Sequence, residues 1–95
     1  MSYSFTIIAD TKVSATAQIR LQMDKVAASQ PTHAKDKEAA IEAGQAIVRV
    51  LAEPFHGDEI HVHMNGYLSW TKDDDIISAN LNVRAELKSK PVDKA

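Results

Sequence analysis

The chain has 95 residues, which is enough for one domain with a modest core. A hydrophobic share of 44% and a charged share of 25% match a folded soluble chain, and three glycines with three prolines argue against disorder. The net charge is −2 with both signs interleaved, which argues against a phosphate-binding basic surface and against an acidic nucleic-acid mimic; the lack of cysteine excludes disulfide and thiolate chemistry.

The opening MSYSFTIIAD has no basic leader and no long apolar run, so it does not read as a signal peptide. No segment approaches the ~20 apolar residues of a membrane span. The expected setting is inside a cell, or in a particle assembled there. Tyr3 to Ala9 predicts the first strand, with Tyr3, Phe5, Ile7 and Ala9 alternating with Ser4, Thr6 and Ile8. Asp10 follows as a helix N-cap.

A first helix is expected from about Thr11 to Ser29. Ala15, Ile19, Met23 and Val26 form its apolar face, Gln22 interrupts that face, and Val13, Ala17 and Leu21 widen it to one side. Pro31 disfavours helix at Gln30 and stops it. A second helix is expected after the N-cap Thr32, with the stripe Ala40, Ile41, Gly44, Ile47, Val48 and Leu51, and Pro54 ends it near Ala52. Gly44 reads as a point of close approach to the first helix or the sheet. Phe55 to Asp58 is a short loop containing Gly57.

The stretch from Glu59 to Lys88 predicts one long hairpin. Ile60, Val62, Met64, Gly66, Leu68 and Trp70 share one parity; Ile77, Ala79, Leu81, Val83, Ala85 and Leu87 match it on the return strand. Such alternation is the signature of a sheet with one buried face. Asn65-Gly66 is a strong turn signal, but a reversal there would mix apolar and polar side chains on both faces. The turn is therefore placed at residues 72–75. Trp70 then falls near Ile77, Leu68 near Ala79, Met64 opposite Val83, and His61 opposite Glu86. Gly66 becomes a place where the strand bends or another group comes close.

The order is β-α-α-β-β, an α+β two-layer sandwich with two helices on one face of a three-stranded sheet. Two antiparallel helices make the first strand antiparallel to the second. Either hairpin strand can neighbour the first; the order 1-3-2 is slightly preferred, with 1-2-3 the alternative. Trp70, Leu68, Leu81 and Val83 are expected to be buried under Ile19, Met23, Ile47 and Leu51, so that Leu81→Ala costs about 2–5 kcal/mol. Residues 1–88 form the domain, and residues 89–95 read as a flexible tail.

No catalytic, cofactor or metal motif stands out. His61 and His63 share a face, but His33 and His56 are not placed to complete a metal site. The run Asp73-Asp74-Asp75 lacks the spacing of a calcium loop and reads as a solvated tip. The candidate interaction face is the polar one: His61, His63, Asn65, Tyr67, Ser69, Ser78, Asn80, Asn82 and Arg84. It can pack on a partner or hold single-stranded nucleic acid. Only Tyr67 and two histidines could stack on bases, so nucleic acid is the weaker option.

The opening SYSFTIIADTK, the alanine-rich pair of helices around VAASQPTH and the strand GYLSW resemble small uncharacterised proteins encoded by tailed phages and prophages. That resemblance implies a phage-encoded accessory or virion-associated protein, in the host cytoplasm or the particle. It transfers no functional residue. The expected function is a non-enzymatic module that self-associates, most simply as a homodimer, with another phage or host protein as a further candidate partner. Single-stranded nucleic-acid binding through the polar face is the alternative.

Overall fold

Alternating strand formers at the start of the chain build β1 over Ser2–Ala9. It leads into α1 over Lys12–Ser29, a 3-10 turn over Pro31–Lys35, and α2 over Lys37–Val50. The long hairpin follows as β2 over Asp58–Trp70 and β3 over Ile76–Ser89. The computed structural model describes residues 2–70 and 76–90. The expected turn at 72–75, the tail residues 91–95 and the Trp70 side chain lie outside the described residues.

The α+β class and the element order stand as the sequence predicts. The sheet order does not. It is β1-β2-β3, with β2 in the middle and antiparallel to both neighbours, not 1-3-2. The bulkiest apolar strand takes the centre, where it has a neighbour on each side. An antiparallel β1–β2 pair also avoids the slightly weaker parallel pairing that the other order requires. The hairpin register is the expected one, including Met64 opposite Val83, His61 opposite Glu86 and Leu68 opposite Ala79. A bulge between Ser69 and Trp70 places Trp70 opposite Ile76 rather than Ile77. Asn65 and Gly66 lie within β2, where β1 pairs against them.

Helix boundaries shift with their caps. Thr11, not Asp10, caps α1, and its Oγ1 accepts a hydrogen bond from the Ser14 N–H at 3.0 Å. Asp10 instead pairs with Lys90 Nζ at 2.9 Å. Thr32 falls in the 3-10 turn, so α2 starts at Lys37 behind Asp36 and is shorter than expected. Ser89, expected in the tail, ends β3, and the Lys90 N–H donates to the Gly57 carbonyl at 2.7 Å.

The core joins Ala15, Ile19 and Met23 of α1 and Ala40, Ile41 and Val48 of α2 to Tyr3, Ile7 and Ala9 of β1 and Ile60, Val62 and Met64 of β2. Leu68 is buried too, while Val83, Ile47 and Leu51 are half-buried. A methyl group at Gly44 would sit 3.0 Å from Met64 Sδ and 3.2 Å from Ile19 Cγ2, so this glycine is where α2 meets both α1 and the sheet. Gly66 has the same use. A methyl there would come within 2.5 Å of the Tyr3 ring, which lies across the bare backbone.

Two expectations about burial are overturned. Val13 and Leu21 do not widen the core; they are 81% and 53% exposed on α1. Leu81 is not a core residue but is 38% exposed. The second result goes with position on the sheet edge, not with distance along the hairpin. The helix layer reaches the level of Ser2, where Gln30 at the α1 C-cap bonds the Ser2 carbonyl. Leu68 of the central strand is fully buried, although it pairs with Ala79 and so lies nearer the tip than Leu81, which pairs with Gly66. Leu81 lies one strand further out, on the edge strand β3, whose residues 78–82 are exposed on both faces.

Under this layer sits His33, which the sequence leaves unplaced. It is fully buried, with its ring edge-on to Tyr3 at 4.9 Å between centroids. Its Nδ1 lies 3.4 Å from Asp36 Oδ1. Neither His33 Nε2 nor the Tyr3 hydroxyl has a hydrogen-bond partner among the described residues. Burial, with the Asp36 charge adding to it, pushes the Tyr3 hydroxyl up to about 12.

Candidate interaction face

The odd residues of β2 and the even residues of β3 from Ser78 onward point away from the core. The ladder sets His61 opposite Glu86, His63 opposite Arg84, Asn65 opposite Asn82, Tyr67 opposite Asn80, and Ser69 opposite Ser78. All nine residues singled out in the sequence therefore share one face of the hairpin. Asn65, Tyr67, Ser78, Asn80, Asn82 and Arg84 are exposed; His61, His63 and Ser69 are half-buried.

Sequence reasoning missed the third row of this face. With β1 beside β2, Ser4 lies opposite Asn65, Thr6 opposite His63 and Ile8 opposite His61. The signal was present in the alternation of β1, but the expected order 1-3-2 set that row beside β3. Thr6 Oγ1 lies 3.0 Å from His63 Nδ1, which fixes the ring across the two strands. Ile8 places an apolar patch, 50% exposed, at one end of the row.

The histidines are engaged within the sheet. His61 Nε2 lies 3.5 Å from Glu59 Oε1, and His63 Nε2 lies 3.6 Å from Glu86 Oε1. Glu86 thus reaches diagonally to His63 rather than to His61, which it opposes. These distances are at or beyond a hydrogen bond, and both Nε2 atoms are shielded without a hydrogen-bond partner among the described residues. Glu86 also meets Lys88 Nζ at 3.4 Å. Desolvation raises the Glu86 carboxyl, but the Lys88 hydrogen bond and the charges of Lys88, Arg84 and His63 outweigh it and hold the group below its ordinary range.

Further along, Asn82 Nδ2 donates to Asn65 Oδ1 at 3.2 Å and to Asn80 Oδ1 at 3.4 Å. Two shallow depressions flank this amide cluster. One, of about 470 Å³, is bordered by Thr6, His63, Asn82 and Arg84; the other, of about 500 Å³, by Ser2, Tyr67 and Asn80. Both are open, and neither brings an acid, a base and a nucleophile together. Among the described residues, no cluster of three or more His, Cys, Asp or Glu is placed to hold a metal, and no helix is long and apolar enough to cross a membrane.

The two sheet edges differ. On β1, Gln18 Nε2 donates to the Ile8 carbonyl at 3.4 Å and Gln30 Nε2 to the Ser2 carbonyl at 3.2 Å. Two outward carbonyls of that edge are therefore occupied by side chains of α1 and its C-cap. Among the described residues, no side chain hydrogen-bonds to the backbone of β3.

No protein-family model, curated protein or solved structure matches the chain.

Proposed function

We propose that this protein is a non-enzymatic interaction module that works by associating with further copies of itself. The observation that carries the reading is the open sheet. Its outer face and the long edge strand β3 are covered by no described element, and residues 78–82 stand exposed on both sides. The bulge in this ladder is confined to its tip end, between Ile76 and Ser78, and the uncovered edge beyond it invites pairing with another chain. The face is rich in Asn, Ser, Tyr and His, which hydrogen-bond readily to a packed surface.

Single-stranded nucleic acid fits this face less well. Arg84 and Lys88 are matched there by Glu59 and Glu86, and Tyr67 is its one aromatic residue apart from the histidines. No basic track runs along it to neutralise phosphates. The role we assign is that of an accessory or virion-associated protein, as the resemblance to small tailed-phage proteins implies.

Sedimentation equilibrium at neutral pH tests the reading. A mass near twice the 10.4 kDa chain, at tens of micromolar protein, is expected. A monomer mass throughout the concentration range would refute self-association. Salt-dependent retention of that monomer on single-stranded DNA would then favour the nucleic-acid role.

A further inference from the structure

We infer that the second copy adds to the β3 edge, antiparallel and across a two-fold axis at Ala85, so that Arg84 of each copy faces Glu86 of the other. This rests on the self-association reading and names its surface.

Three observations converge on this edge. First, of the two edges, β1 already spends its Ser2 and Ile8 carbonyls on Gln30 and Gln18. β3 is the longer edge and has no such guard among the described residues. Antiparallel ladders alternate inward and outward backbone groups. The Lys90 N–H bonded to the Gly57 carbonyl places the even residues of β3 in the bonded pairs with β2. The outward N–H and C=O groups therefore belong to Leu81, Val83, Ala85 and Leu87.

Second, the charges along β3 are self-complementary in this register. A two-fold at Ala85 pairs Arg84 with Glu86 twice, Asn82 with Lys88, and Val83 with Leu87. Moving the axis to Arg84 would oppose two arginines, and moving it to Glu86 would oppose two glutamates. Opposite charges directly across an antiparallel pair are favourable and like charges are not. Glu86 already meets Lys88 and His63 in its own chain, so its carboxylate is in place before the partner arrives.

Third, the helix layer beside this edge is uncharged. Glu38 and Gln45 of α2 reach Arg20 and Thr16 of α1, which fixes the side of α2 that faces α1. The opposite flank, on the β3 side, carries Ala39, Ala43, Ile47 and Val50, and Val50 is 82% exposed. Joining two β3 edges brings these flanks toward each other, and interhelical packing distances of about 8–10 Å suit small residues there. The assembled sheet has six strands, and its outer face repeats the nine polar residues twice.

A charge-swap mixing experiment tests the interface. Arg84→Glu alone sets Glu against Glu86 of the partner; Glu86→Arg alone sets Arg against Arg84. Each variant should sediment as a monomer at a concentration where the native chain is dimeric. Mixed in equal amounts, the two should form a heterodimer, because both cross-axis pairs are then of opposite charge. Circular dichroism of each variant checks that the fold is intact. Folded variants that remain dimeric alone would overturn the β3 interface while leaving self-association standing. Variants that are monomeric both alone and mixed would overturn the Arg84–Glu86 register. A monomeric native chain would overturn both the interface and the reading beneath it.

Discussion

Ile19→Ala is expected to destabilise the protein by about 2–5 kcal/mol, a large fraction of what a domain of this size has. Ile19 is fully buried and lies against Gly44, at the point where α1, α2 and the sheet meet. Removing three carbons there opens a cavity that the glycine cannot fill. Leu81→Ala makes the contrast. Leu81 is 38% exposed on the edge strand β3, so the same truncation should cost no more than about 1.5 kcal/mol. Urea unfolding of the two variants measures both. Equal losses would mean that the core extends along the whole hairpin, against the burial described above.

Alkaline pH gives the second large effect, through Tyr3. Its hydroxyl stands at about 12 in the fold against an ordinary value of 10, because burial and the Asp36 charge both disfavour the phenolate. A group raised in the folded state binds its proton more tightly there than in the unfolded chain. Its contribution is therefore fully present below pH 10 and is lost as pH climbs toward 12. The displacement corresponds to roughly 2–3 kcal/mol. Lys90, held above its ordinary range chiefly by the hydrogen bond to Asp10, loses its contribution in overlapping conditions. Tyr3→Phe separates the two, since it keeps Lys90 and removes only the phenol. The variant should lose most of the steep decline between pH 10 and 12. Near pH 7 it should match or exceed the native chain, because a buried hydroxyl without a partner costs free energy. The same alkaline slope in both proteins would remove Tyr3 as its cause.

Much of the architecture was legible because the hairpin alternates without a break through Asn65-Gly66. That single feature located the turn outside those residues, set the register and assigned the nine polar residues to one face. The sheet order was not legible, since hydrophobic alternation reports which face is buried but not which strand lies beside which. One clue was available: Ile60, Val62, Met64 and Leu68 are bulkier than Ala79 and Ala85, as suits a central strand. The exposure of Leu81 goes with its place on an edge strand, and the sheet order that puts β3 at the edge is what alternation does not record. His33 stayed hidden for another reason. Its burial comes from a 3-10 turn that folds back under Tyr3, and neither residue signals the other locally. At the interaction face, the row from β1 depended on the sheet order and was lost with it.

Amide hydrogen exchange, followed residue by residue in concentrated and diluted samples, tests self-association through β3 most directly. The N–H groups of Val83, Ala85 and Leu87 point outward and meet no partner among the described residues of a lone chain, whereas those of Arg84 and Glu86 bond to β2 in either state. The outward set should exchange slowly in the concentrated sample and much faster after dilution, while Arg84 and Glu86 stay protected in both. Exchange of Val83, Ala85 and Leu87 that is fast and independent of concentration would contradict the account.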